Sequence, residues 1–359
     1  MSMNQLDDTK KIIEKNIGKF LETISALPKQ IEQTWEDIQS VTIPKSYRSV
    51  QNIVVNGMGG SGLGSHILFS LYFDQLSIPL RVIHSYSIPA YVGKKTLYVL
   101  SSYSGTTEEP VATAEEALKR GAKVIGITTG GDVKNFCLKN NLPCFIINPI
   151  HNPSKQPRMG LGYSIFGILG LLKHCGVIDI SDREVRGVIS HLAQMNKKFS
   201  AETPTSKNPA KTVAQELHGS IPINVAAEFL TGNVHALTNQ LNENSKNFSA
   251  YFMLSELNHH LMEGLIAPKS VAESLRFFFI ESALYHSRNK KRFPITKKVV
   301  KKNNIEISSY QVEGKSKLLQ SFEVLLFGSY LSYYLSILNK VKDPAAIPWV
   351  DYFKRELKK

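Results

Sequence analysis

Cysteine is scarce in this chain, with Cys137, Cys144 and Cys175 the only three in 359 residues. That is too few for a disulfide scaffold, and their spacing matches no zinc-binding pattern. Reduced, mostly buried thiols in a cytoplasmic protein are the expectation. Long apolar runs are missing too. No uninterrupted stretch reaches the roughly 18 residues of a membrane span. The first residues, MSMNQLDDTKKIIEKN, lack the apolar core of a secretion signal. Acid is short relative to base, 30 Asp and Glu against 43 Lys and Arg, for a net charge of +13. Such an excess fits nucleic acid, and it equally fits a field that steers an anionic metabolite. Much of it lies in RNKKRFPITKKVVKK (288–302) and the tail KRELKK, and no aromatic-interleaved RNA-binding signature accompanies either. Solvated basic faces are therefore expected, with neither nucleic acid nor membrane as a partner.

What is present describes an ordinary globular protein, 42% hydrophobic and 20% charged. The length suggests two domains. Apolar positions at helical spacing over 5–40 (Ile12, Ile13, Ile17, Phe20, Leu21, Ile24) predict an amphipathic helix or helix pair. The texture then changes. QNIVVNG, LRVIHS, TLYVLSSYSG, AKVIGITTG and PCFIINP are short apolar runs, some separated by helical stretches such as EEPVATAEEALKRG. That alternation predicts a parallel sheet flanked by helices on both faces, closed by an apolar helix over 161–177. AETPTSKNPAK (201–211) reads as a linker. A second α/β pattern follows. Strands are expected at 221–229, 274–282 and 305–312, a helix starting at 235–246, helical structure after Pro294, and a long helix over 316–340. The expected division is a helical segment over 1–45 and two α/β domains over 46–200 and 201–359.

Two stretches carry chemistry. NGMGGSG (56–62) joins a strand to a helix, without the glycine pattern of a dinucleotide fingerprint or the GK[ST] of a P-loop. It is either a plain tight turn or a turn that brings a helix N-terminus to an anion. SSYSGTTEE (101–109) follows a buried-looking strand, so its hydroxyls fall where open α/β sheets bind ligands. They form either a hydroxyl-rich N-cap or a cradle for a phosphate used as a handle. Glu108 and Glu109 then enter the first helical turn, where acids favour the macrodipole.

NGMGGSG followed some forty residues later by SSYSGTTEE resembles the sugar isomerase (SIS) domain pattern. QPRMGLGYS (156–164), NENSK (242–246), ELNHH (256–260) and the closing DPAAIPWVDYFKREL narrow this to the bifunctional phosphoglucose/phosphomannose isomerases, over residue 45 to the end and in the right order. The resemblance implies two SIS-type domains, each a mainly parallel sheet in a three-layer αβα arrangement. It implies an enzyme of glycolysis and gluconeogenesis that interconverts glucose 6-phosphate, and mannose 6-phosphate as well, with fructose 6-phosphate. No metal or other cofactor is implied. Ser102, Ser104 and Thr107 would hold the phosphate, with Gly59, Gly60 and Ser61 lining the sugar. Glu243 would move the proton between C1 and C2, Arg158 would steady the enediolate, and Lys354 would contact the ring-opening region. His259 would assist ring opening from the neighbouring subunit of a homodimer.

One carboxylate, one arginine and one histidine suffice for aldose–ketose isomerisation. Glu243 and His259 lie 16 residues apart, too far for one helical face, so tertiary or quaternary structure must bring them together. Two departures stand out. His260 replaces an asparagine usual in the family, and DPAAIP lacks a threonine that the family associates with room for the mannose epimer. The rival expectations are an amino-sugar phosphate isomerase and a non-catalytic sugar-phosphate sensor. Neither a glutaminase-like segment nor an N-terminal helix-turn-helix supports them.

Overall fold

The computed structural model describes residues 5–357 and 359. Among the described residues, nine strands form two wholly parallel sheets. The first has the order β2-β1-β3-β4-β5, from β1 (Asn52–Gly57), β2 (Leu80–Ile83), β3 (Thr96–Ser101), β4 (Lys123–Thr128) and β5 (Cys144–Ile146). The second has the order β7-β6-β8-β9, from β6 (Ile221–Ala227), β7 (Ala250–Leu254), β8 (Leu275–Glu281) and β9 (Glu306–Gln311). β1, β3 and β4 are buried nearly throughout, as expected of parallel strands covered by helices on both faces.

The two sheets meet through helices. Helix Gly59–Leu71 follows β1, and helix Thr231–Asn244 follows β6. They approach so closely that a Cβ at Gly232 would lie 2.4 Å from the His66 carbonyl oxygen. Ser70 Oγ spans the contact, donating to Phe229 O at 3.2 Å and accepting from Gly232 N at 3.1 Å. Helix Lys317–Leu338 is long and apolar enough to cross a membrane, with mean hydropathy 1.2, but 94% of that window is buried inside the protein. It is a core helix, tied to helix Thr231–Asn244 by Asn233 Nδ2 donating to Ser321 O at 2.7 Å.

Several sequence expectations need correction. The N-terminal region is not one amphipathic helix or a pair. Short helices Thr9–Glu14, Phe20–Ser25 and Leu27–Asp37 are broken at Gly18, whose φ of +70° is left-handed, and Ile13 and Ile17 face solvent. Residues 235–246 are the body and end of a helix, not its start. Helix Ser287–Lys302 forms before Pro294 as well as after it, at the cost of one backbone hydrogen bond. Edge strand β7 was not anticipated, because AYFML is short and only its last residue is fully buried. Segment 201–211 is packed: Lys211 is buried and donates to Ala201 O at 2.7 Å, and Thr205 N donates to Asp7 Oδ1 at 2.7 Å. The N-terminal helices also buttress the centre of the molecule. Gln30 Nε2 donates to Met159 O at 3.1 Å, and its Oε1 accepts from Gly162 N at 3.2 Å.

Candidate active site

The site begins where two strands end side by side. Gly57 of β1 pairs with Ser101 of β3, so the turns that follow leave the sheet at one height. β1 has β2 on one side and β3 on the other. The chain therefore crosses over in opposite directions, opening the crevice that such sheets use for ligands.

In the first turn, Gly59 and Gly60 start helix Gly59–Leu71, and a Cβ at Gly60 would stand 3.3 Å from Arg158 Cα. Ser61 stitches this turn to the next: its Oγ accepts from Tyr103 N at 2.9 Å, and its carbonyl accepts from Ser101 Oγ at 3.0 Å. In the second turn, Ser102 Oγ lies 2.7 Å from Thr107 Oγ1 and accepts from Gly105 N at 3.0 Å. Ser104 and Thr106 sit at the exposed rim with hydroxyls 3.2 Å apart. Gly105 has a φ of +77°, and a Cβ there would fall 1.8 Å from Gly130 O, so no other residue fits. Thr107 is the N-cap of helix Glu108–Lys119, whose first-turn amides have no partner within the helix. Hydroxyls and amides converge there without a cation among them, a donor set suited to an anion.

Arg158, on the turn Pro157–Met159, is buried. Its Nε donates to Asn244 Oδ1 at 2.9 Å, Nη1 to Gln156 Oε1 at 3.0 Å, and Nη2 to the carbonyls of Pro344 and Ala345 at 3.0 and 2.7 Å. Four of the five guanidinium N–H donors are thereby committed, leaving one on Nη1. Burial lowers the Arg158 pKa, against the pull of Glu243 and Asp343, but a guanidinium stays charged. Glu243, next to last in helix Thr231–Asn244, places Oε2 3.6 Å from Arg158 Nε. Its side chain is 32% exposed, open to a ligand. Burial nevertheless raises its pKa above the ordinary carboxyl range, opposed by Arg158 and Lys246.

The fold thus joins Gly59, Gly60, Ser61, Ser102, Ser104, Thr107, Arg158 and Glu243 through contiguous contacts. It does not bring in the other two residues singled out from the sequence. His259 is exposed on the short helix Leu257–His260, beyond β7. Lys354 lies on helix Pro348–Glu356, which has no buried residue. Among the described residues, no hydrogen bond or ion pair ties either side chain to Glu243 or Arg158. Sequence reasoning also missed a group around them. Lys246 Nζ donates to the carbonyls of Glu243, Pro344 and Ala346, so Lys246 and Arg158 together hold residues 344–346. Gln156, Asn244 and Lys246 all sit inside QPRMG and NENSK, so the signal lay in the motifs themselves. Among the described residues, no group of three or more His, Cys, Asp or Glu is placed to hold a metal ion.

Comparison with known proteins gives the chain its relatives. The family described as bacterial phospho-glucose isomerase C-terminal SIS domain matches residues 206–357. A bifunctional phosphoglucose/phosphomannose isomerase of Caldicellulosiruptor bescii is 32% identical over 343 residues, covering 94% of this chain and 98% of that protein. One from Thermoplasma volcanium is 29% identical over 323 residues, covering 88% and 95%. Among solved structures, a hypothetical protein of Thermus thermophilus superposes with a TM-score of 0.74 at 15% identity, covering 98% of this chain and 94% of its own. The C-terminal domain of glucosamine-fructose-6-phosphate aminotransferase from Francisella tularensis superposes at 0.65 with 12% identity, covering 89% and 96%. These last two speak to the SIS fold, and the sequence matches go further: the chain belongs to the bifunctional phosphoglucose/phosphomannose isomerase family.

Proposed function

We propose that this protein interconverts glucose 6-phosphate and mannose 6-phosphate with fructose 6-phosphate, and that Glu243 is the base. The observation that carries the assignment is the pairing of Glu243, its pKa raised by burial, with a buried arginine 3.6 Å away. A raised carboxyl is a better proton acceptor once ionised, and it can return the proton one carbon along. The uncommitted Nη1–H of Arg158 then meets the oxyanion of the enediolate. Ser102, Ser104, Thr107 and the N-terminus of helix Glu108–Lys119 hold the phosphate as a handle, with Gly59, Gly60 and Ser61 along the sugar.

Ring opening needs a further acid–base group, and among the described residues neither His259 nor Lys354 of the same chain reaches Glu243. His259 of a second copy fills that role in a homodimer, and Lys354 joins the same region once helix Pro348–Glu356 settles on the assembly. Exposed Phe248 (71%), Ile266 (68%) and Trp349 (82%) are apolar surface of the kind that such an interface covers. On this reading the chain divides into a helical lead-in over 1–45, a phosphate-binding SIS unit over 46–200 and a base-bearing SIS unit over 201–359. A coupled assay of EDTA-treated protein on fructose 6-phosphate, following both aldose products separately, tests the proposal. Both glucose 6-phosphate and mannose 6-phosphate are expected. A single product removes one epimer, and neither product removes the assignment.

A further inference from the structure

His259 sits on helix Leu257–His260, a single turn too short to hold its own shape in water. The direction of its imidazole must therefore come from what the neighbouring residues grip. Glu256, His259 and His260 are exposed, Leu257 is buried and Asn258 is half-buried. Leu257 packs into the core, an apolar contact that fixes depth and has no directional preference. Asn258 is the polar anchor. Its Nδ2 donates to Thr296 Oγ1 at 2.8 Å, and its Oδ1 accepts from Arg292 Nη1 at 3.3 Å. A guanidinium only donates, so the amide can face this pair in one orientation. Nδ2 also lies 3.6 Å from Met262 Sδ, a weak acceptor.

We propose that Asn258 is the positioning residue for His259, and that Arg292 and Thr296 form the ledge that holds it. The proposal rests on the reading that His259 assists ring opening in the site of the neighbouring subunit.

The ledge exists because helix Ser287–Lys302 runs through its proline. Arg292 and Thr296 are four residues apart and share one helix face. Pro294 falls midway between them, on the opposite and exposed side. A helix that began only after Pro294 would leave Arg292 outside it. The ledge is in turn tied to the second sheet. Glu228, just past β6, accepts from His286 N at 2.8 Å and from Asn289 Nδ2 at 2.7 Å. Lys297 Nζ donates to Glu281 Oε1 of β8 at 2.5 Å. The Phe293 ring stacks on Tyr285 with centroids 5.4 Å apart, and Thr296 is only 1% exposed. A surface histidine is thus joined through one amide to a platform fixed on the sheet. Neither Asn258 nor the ledge takes part in the proton transfer assigned to Glu243, so their effect on rate passes through His259.

The test is kinetic and uses the full-length protein. Asn258→Ala is expected to lower kcat on fructose 6-phosphate about ten- to hundredfold with KM little changed, the scale on which a misplaced group costs rate. Thr296→Val keeps the shape and removes the hydroxyl, so it should also lower kcat, whereas Thr296→Ser should keep most of it. The double variant Asn258→Ala/His259→Ala should be no slower than His259→Ala, because both changes act through one imidazole. Asn258→Ala subunits refolded together with Glu243→Gln subunits should recover about a quarter of wild-type activity, since the defect lies in the histidine given to the neighbour. Should Asn258→Ala fail to fold by circular dichroism, Thr296→Val and Thr296→Ser carry the test in its place. Unchanged kcat in the folded variants, or a double variant slowed by the product of the single losses, overturns the positioning role while leaving His259 where it is. Full activity of His259→Ala overturns the histidine reading and the positioning role together.

Discussion

At the scale of single residues, the assignment rests on Glu243. Replacing its carboxylate with the isosteric amide removes the proton acceptor while leaving shape intact. Glu243→Gln should lower kcat about 10²–10⁴-fold with KM little changed. Steady-state kinetics on fructose 6-phosphate will show this, and a variant keeping most of its kcat would move the base elsewhere. The raised Glu243 pKa has a sign consequence. As the proposed base, Glu243 works only when ionised, so kcat should fall on the acid side at a pH above that of a free carboxyl, and Glu243→Gln should lose this limb. Ser104 presents its hydroxyl at the exposed rim of the turn proposed to hold the phosphate, and it has no proposed part in the proton transfer. Ser104→Ala should chiefly raise KM, and a fall confined to kcat would contradict a ground-state phosphate contact.

At the scale of elements, the second half depends on one buried carboxylate. Glu323, on helix Lys317–Leu338, is fully buried and accepts from Tyr310 Oη at 2.7 Å, from Glu313 N at 2.8 Å and from Gly314 N at 2.8 Å, with His191 Nε2 at 2.7 Å. Burial pushes its pKa up, but the donors from His191, Glu313 and Tyr310 outweigh it and the net shift is downward. A folded-state pKa below the unfolded value of about 4.3 means stability that is present above that pH and lost as pH falls below it. Glu323→Gln should therefore cost about 1–3 kcal/mol at neutral pH, because hydrogen-bond donors lose their charged acceptor. It should also flatten the acid decline. Urea melts between pH 3 and 7 compare the two proteins, and an unchanged acid slope in the variant would assign the decline to other carboxylates.

Elements also show what the sequence could and could not disclose. The strands of the first sheet were legible because buried parallel strands write themselves as β-branched runs bounded by glycine and polar turns. Helix Ser287–Lys302 was half legible. Its proline argues for a break, and only packing of Phe293, Thr296 and Val300 shows that the helix continues through it. The turn after β3 was readable as hydroxyls at a strand end. Arg158 and Glu243 were readable only through the motifs that hold them, since neither charge announces a partner 85 residues away. The role of Lys246 was not readable at all. It depends on carbonyls nearly a hundred residues distant, and backbone acceptors leave no trace in side-chain pattern.

At the scale of the whole molecule, the proposed subunit sharing has an arithmetic signature. Mixing Glu243→Gln and His259→Ala subunits, then unfolding and refolding them together, should restore about a quarter of wild-type activity, because a statistical half of the dimers are mixed and one site in each is intact. Recovery near zero would place His259 in its own subunit's site, and recovery near one half, with His259→Ala active by itself, would place it outside the chemistry. The Arg158 contacts carry a different implication. The arginine grips residues 344–345 by main-chain oxygens alone, and every amino acid supplies the same oxygen there. The side chains of Ala346 and Ile347, which are not buried, are therefore free to drift without loosening the charge beside Glu243. On the proposed assignment, side-chain identity at that end of the chain and the Arg158–Glu243 pair can be inherited separately, one rewritten while the other stays fixed.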